Sequence, residues 1–200
     1  CIDMCSMKER GFRTEDDELS AFEKPLDQEN VEIIKRFQRS SADHKLNIPS
    51  EVRPPGVLRQ TLYYLEQNLM DRDQFGIDSR LNPPRVPDLI DLYNFCWDRT
   101  RMIRKDFILQ NYRSNGRVHP IVMDVHERIA RYHILSEHEL CDEPNFVAQQ
   151  NMEQLGQTLK SLNEYYDECG KSPVESEFRA YFILCTLDNT GGMDVLQYIL

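Results

Sequence analysis

Apolar positions recur along most of the chain every three or four residues, the period of an α-helix rather than a strand. The clearest run is 89–110, LIDLYNFCWDRTRMIRKDFILQ, where Leu89, Leu92 or Tyr93, Cys96, Thr100, Ile103 and Phe107 form one stripe. Asp98, Arg99, Arg101, Arg104, Lys105 and Asp106 crowd another face. Asp88, after Pro87, is placed to cap the helix, and Asn115-Gly116 breaks the run. At about 1.5 Å per residue such a helix spans roughly 30 Å, the depth of a small domain.

The same period predicts helices on either side. Val31, Ile34, Phe37 and Gln38 are helix-spaced, with Asp27 as cap and an end near Ala42. Pro49, Pro54 and Pro55 make 46–55 a connector. Val57, Leu58, Thr61, Leu62, Leu65 and Leu69 predict a helix over 57–71, followed by a loop to Pro87. Residues 118–141 read as a helix with Ile121, Val122, Val125, Ile129, Tyr132, Ile134 or His133, and Leu135 inward. Met152, Leu155, Leu159, Leu162 and Tyr166 predict another over 146–169, stopped by Gly170. A helix over 177–187 and a last amphipathic run over 193–200 complete about seven helices.

The fold class is therefore all-α, an irregular helical-repeat array without a convincing strand. Residues 1–26 read as a polar lead-in, with a helical turn near Met7 to Arg10, and 27–200 as the helical domain. The chain opens on Cys1 and ends on an unfinished apolar run, as a piece of a longer protein would.

Charge and composition narrow the function classes. The net charge is −10, which disfavours strong autonomous nucleic-acid binding. It is uneven: residues 30–136 carry 17 basic and 13 acidic side chains, whereas both ends are acidic. Nothing approaches the ~18 uninterrupted apolar residues of a membrane span. The six cysteines are scattered, as in a reducing compartment rather than a disulfide framework.

Candidate chemistry is sparse. Cys1 and Cys5 could form half a zinc site, but two more ligands are not in view, so no metal is expected. His119, His126 and His133 are spaced by seven residues, about 10 Å apart on one helix face, which suits surface or interface positions. The sequence HERIARYH lacks the zinc-protease spacing. There is no G-x-S-x-G elbow and no phosphate loop, so neither an enzyme nor a cofactor or small-molecule substrate is expected. The functional candidates are Arg99, Arg101, Arg104, Lys105, Arg113 and Arg117, whose guanidinium forks suit phosphate or carboxylate. Their alternative is an intramolecular network: Asp98 with Arg101, Asp106 with bases on neighbouring helices, and Glu127 and Glu137 as facing acids.

Several ordered blocks resemble the Sac-three/GANP family of messenger-RNA export scaffolds. Asp3-Met4-Cys5 with Lys8-Glu9-Arg10 is similar to the family's C-x-D-M-C-P-x-x-E-R opening, Ser6 standing for Pro. Arg39-Ser40-Ser41-Ala42-Asp43, then Arg53-Pro54-Pro55, Val57-Leu58, Thr61 and Tyr64-Leu65, resemble the next two blocks. The run from Phe95 to Asp106 resembles the F-x-W-D/N-R-T-R-x-I-R-K-D core. Arg131-Tyr132-His133-Ile134 and Asn151 with Leu155 and Leu159 match the later blocks. The resemblance covers almost the whole chain and is closest to the GANP/Xmas branch. It implies a PCI/TPR-like helical array whose winged helix lies beyond Leu200, and a non-enzymatic subunit of the nuclear transcription-export complex two. It further implies a PCI-domain partner with a small acidic companion, a place at the nuclear pore or envelope, and RNA contact through the assembled complex. Diverged family members acting in splicing or at the centrosome, and direct RNA binding by the Arg99 to Arg117 surface, are the alternatives.

Overall fold

A computed structural model describes residues 1–24, 32–39, 48–70, 77, 81, 83–169 and 172–187. The chain divides into two compact units, Cys1–Asn111 and Tyr112–Leu200. Among the described residues the structure is all-α apart from one minimal hairpin.

The first unit is built on α3, Leu89–Gln110. It begins where its capping box lies: the Asp88 carboxylate accepts from the Asp91 N–H at 3.0 Å, and the Asp91 carboxylate accepts from the Asp88 N–H at 2.9 Å. It stops at Asn111, which is left-handed at φ 43° and donates back to Phe107 and Ile108. The chain thus leaves the helix before Asn115-Gly116. Burial is wider than the expected stripe. Leu92, Tyr93, Cys96, Thr100, Ile103 and Phe107 are buried as expected, but so are Phe95, Met102, Arg99, Arg104 and Asp106, whereas Leu89 is exposed.

Helix α2, Pro55–Tyr64, starts on a proline that needs no N–H donor, and the chain continues in π-helical form over Leu65–Met70. Leu58, Leu62, Leu65 and Leu69 are its buried side. The opening segment is more ordered than its irregular pattern suggests. Ser6 caps α1, Met7–Glu15, and Cys5, Leu19 and Phe22 are buried.

The helix expected over 27–42 is absent from its described part, since 32–39 is extended. A helix would direct these N–H groups to carbonyls four residues back. Here tertiary acceptors take four in succession: Ile34 donates to Glu23, Lys35 to the Met4 carbonyl, Arg36 to Glu9 and Phe37 to Asp98. Ile33, Ile34 and Lys35 are buried side by side, and β-branched residues suit an extended backbone. The expected cap at Asp27 and the end near Ala42 lie outside the described residues, as do most of the 71–87 loop and the 193–200 run.

In the second unit Arg113–Ser114 (β1) pairs with Arg117–Val118 (β2) in antiparallel register. Asn115 and Gly116 both have positive φ, 53° and 77°, as a two-residue type I′ hairpin turn requires. Three helices follow: α4 Pro120–Leu140, α5 Ala148–Cys169 and α6 Glu175–Leu187. Their core joins Ala130, Leu155, Leu159, Leu162, Tyr166 and Phe178. Leu135, expected inward, is 58% exposed.

Candidate functional site

The sequence-predicted basic cluster does not form one surface. One of its members, Arg99, sits inside the first unit at Glu23, one of two buried carboxylates, Glu23 and Asp106, that tie the extended 32–39 segment to α1 and α3.

The first carboxylate is Glu23. Its Oε2 accepts from Arg13 and from the Ser20 N–H and hydroxyl. Its Oε1 accepts from the Ile34 N–H at 3.0 Å and from Arg99 at 3.3 Å. Arg13 also donates to the Ile34 carbonyl at 3.0 Å. Arg99 pairs in addition with Asp98 and lies 4.2 Å over the Phe95 ring. Burial alone would raise the Glu23 carboxyl, but Arg99, Arg13 and the Ile34 N–H outweigh it and hold the group below the usual carboxylate range.

The second carboxylate is Asp106, fully buried on α3. Oδ1 accepts from Lys35 Nζ at 3.0 Å and Oδ2 from Arg53 Nε at 2.8 Å. Lys35 donates further to the Glu51 carbonyl at 2.6 Å, and Gln110 bridges the Arg53 and Asp106 carbonyls. The expected network is therefore present at Asp106. Its bases come from the extended segment and the turn before α2, not from neighbouring helices.

The remaining candidates are dispersed. Arg104 is buried. Arg101 is half-buried, its guanidinium 4.0 Å over Phe37 and 5.1 Å from Trp97. Lys105 donates to the Gln38 carbonyl. Arg113, in the second unit, is exposed on the hairpin and makes a two-pronged pair with Glu168. Arg117 is exposed on the same hairpin.

The histidines are placed differently from expectation. His119 caps α4 by accepting from the Ile121 N–H at 3.2 Å. His126 and His133 are buried rather than at the surface. His133 Nδ1 meets Asn151 Oδ1 at 2.8 Å, while the Asn151 amide donates to the His133 carbonyl and to Glu137. Glu127 accepts from Tyr166 and Ser172. Both facing acids thus serve neutral donors inside the second unit.

Among the described residues no three His, Cys, Asp or Glu groups lie close enough to hold a metal ion. Cys5 is buried and its thiol is pushed up to about 12, by burial first and Glu9 second, so it stays protonated at neutral pH. A recess of about 210 Å³ over the extended segment is walled by charges already matched to each other, Lys8 with Glu51 and Arg36 with Glu18. Among the described residues no helix is long and apolar enough to cross a membrane.

What the geometry brings together, among the described residues, is several of the sequence blocks. Met4 of the first block binds Lys35 and Arg53. Arg53 of another block pairs with Asp106 of the central one, and His133 pairs with Asn151 of the last.

Known proteins are similar to this chain in sequence. The statistical description of the SAC3/GANP family matches residues 4–200. SAC3 family protein 1 of Schizosaccharomyces pombe is 40% identical over 195 residues, covering 94% of this chain and 17% of that protein. Protein xmas of Drosophila melanogaster is 34% identical over 94% of this chain and 9% of its own length. SAC3 family protein B of Arabidopsis thaliana is 30% identical over 98% of this chain and 11% of its own. The chain spans less than a fifth of each of these relatives. With Arg53 and Asp106 of two blocks joined in one buried ion pair, His133 and Asn151 of two others hydrogen-bonded in the interior, and a family match from residue 4 to residue 200, the chain belongs to the SAC3/GANP family.

Proposed function

We propose that this chain is the helical-repeat part, from residue 27 onward, of a non-enzymatic scaffold subunit of the nuclear transcription-export complex two. It docks a PCI-domain subunit and that subunit's small acidic companion, and it supports messenger-RNA export at the nuclear pore. One observation carries the reading: the family's motif residues pair with one another in the interior, as in a scaffold, instead of lining a cleft as catalytic residues do. Family membership supports the nuclear messenger-RNA export setting.

The test is co-purification from nuclear extract with and without nuclease. A PCI-domain subunit retained after nuclease supports protein docking. A chain that stays monomeric and has no affinity for such a subunit overturns the proposal.

A second reading, direct contact with RNA, rests on the exposure of Arg113 and Arg117 on one hairpin. Reversing both charges should weaken binding of a single-stranded oligonucleotide. It should also flatten the salt dependence by a slope of about 1.4 for two lost phosphate contacts. Binding unaffected by the reversal removes this reading.

A further inference from the structure

Ser172-Pro173 is the one Ser-Pro or Thr-Pro dipeptide in the 200 residues, and the fold places it where one hydroxyl matters. It lies in the turn that opens α6: the Ser172 carbonyl accepts from the Glu175 N–H at 3.2 Å, and Pro173 is exposed. The residue before a proline is pushed into extended backbone, the form in which a kinase takes a peptide. The hydroxyl itself donates to Glu127 Oε1 of α4 at 3.2 Å, the oxygen that also accepts from Tyr166 of α5 at 2.8 Å. Glu127 is buried. One carboxylate oxygen therefore gathers α4, α5 and the start of α6, one turn before Phe178 enters the core.

We propose that Ser172 is a phosphorylation site for a proline-directed protein kinase, and that its modification unlatches α6 from the α4–α5 pair. The γ-phosphoryl group of ATP moves to Ser172 Oγ. The new O–P bond forms as the bond between the γ-phosphorus and the ADP oxygen breaks, ADP departs, and the hydroxyl proton passes to the kinase's catalytic aspartate. Oγ then has no hydrogen to give Glu127, and a phosphate of nearly two negative charges stands beside that carboxylate. The arginines that touch the first turns of α6 are already matched, Arg131 with Glu177 and Arg179 with Glu175 and Asp167. The helix N-terminus favours an anion, but the buried Glu127 carboxylate, which has lost the hydroxyl donor, opposes it. The inference does not depend on the export reading.

The test treats the folded chain with a mitogen-activated or cyclin-dependent kinase and ATP. Mass spectrometry maps the phosphate, and amide hydrogen exchange over 175–187 is compared with 89–110 as an internal reference. One phosphate on Ser172 is expected, with exchange in α6 about tenfold faster and α3 unchanged. In Glu127→Gln, which keeps the acceptor oxygen without the charge, the acceleration should shrink. Phosphate entering only the heat-unfolded chain, unchanged α6 exchange after modification, or equal acceleration in Glu127→Gln each overturns the proposal.

Discussion

The two units hold their helices in place by different chemistry. Among the described residues, the first unit buries seven charged side chains, Arg13, Glu23, Lys35, Arg53, Arg99, Arg104 and Asp106, whereas the second buries only Glu127. The second is a stack in which apolar faces of α4, α5 and α6 close on each other. The first must also fix an extended segment that makes no helical hydrogen bonds of its own. Carboxylates do this because each can accept several N–H donors at once. Arg53, Arg99 and Asp106 of the first unit's family blocks are thus internal fasteners, whereas Arg113 and Arg117 on the second unit's hairpin are exposed. Identical chemistry on paper has two fates, decided by what the chain lays over it.

Removing a fastener should have the largest effect. Asp106→Asn leaves Lys35 and Arg53 buried without their anion and should cost about 3–5 kcal/mol. Chemical unfolding followed by Trp97, the single tryptophan, reads this directly. A loss under 1 kcal/mol would show that the cations find other partners. The matching lesion in the second unit is Leu159→Ala, at a fully buried core position. It should cost about 2–5 kcal/mol by cavity formation, read by far-ultraviolet circular dichroism. It should not add the acid sensitivity described next.

That sensitivity is the third way to separate the units. Glu23 has a folded-state carboxyl below the usual range, so in moderately acid solution the unfolded chain binds more protons than the folded one. The contribution of Glu23 is present above its unfolded value of about 4.3 and is lost as pH falls through its lower folded value. The Trp97 unfolding midpoint should therefore fall in that window. In Glu23→Gln the chain should start weaker and show a flatter acid limb. An unchanged limb would assign the acid loss elsewhere. The smallest effect is expected from Arg113→Gln. Its partner Glu168 is lowered by the Arg113 hydrogen bond, but both are exposed and solvent screens the pair. The unfolding midpoint should not move, and a clear fall would show that the pair with Glu168 contributes to the fold.

Local signals were legible from the chain alone. The start of α3 follows from Asp88 as its cap and its extent from the helical run 89–110, although the stop at Asn111 falls ahead of the break expected at Asn115-Gly116. The bounds of α4, α5 and α6 follow from proline, glycine and helical spacing. The Asn-Gly hairpin could have been read too, since that dipeptide favours a type I′ turn, but strands of two residues carry no periodicity. The 32–39 segment could not. Its spacing of Ile34 and Phe37 fits a helix equally well, and the acceptors that extend it are Met4, Glu9, Glu23 and Asp98, far off in sequence.

The sequence by itself therefore determined the helical class, the places where most helices start and stop, and membership of a family, because each rests on neighbours within a few residues or on an ordered set of blocks. Only the tertiary structure decided which charges are interior. A carboxylate on a helix face looks the same whether water or a guanidinium sits opposite, and Asp106 became a fastener because Lys35 and Arg53 are brought to it from 71 and 53 residues away.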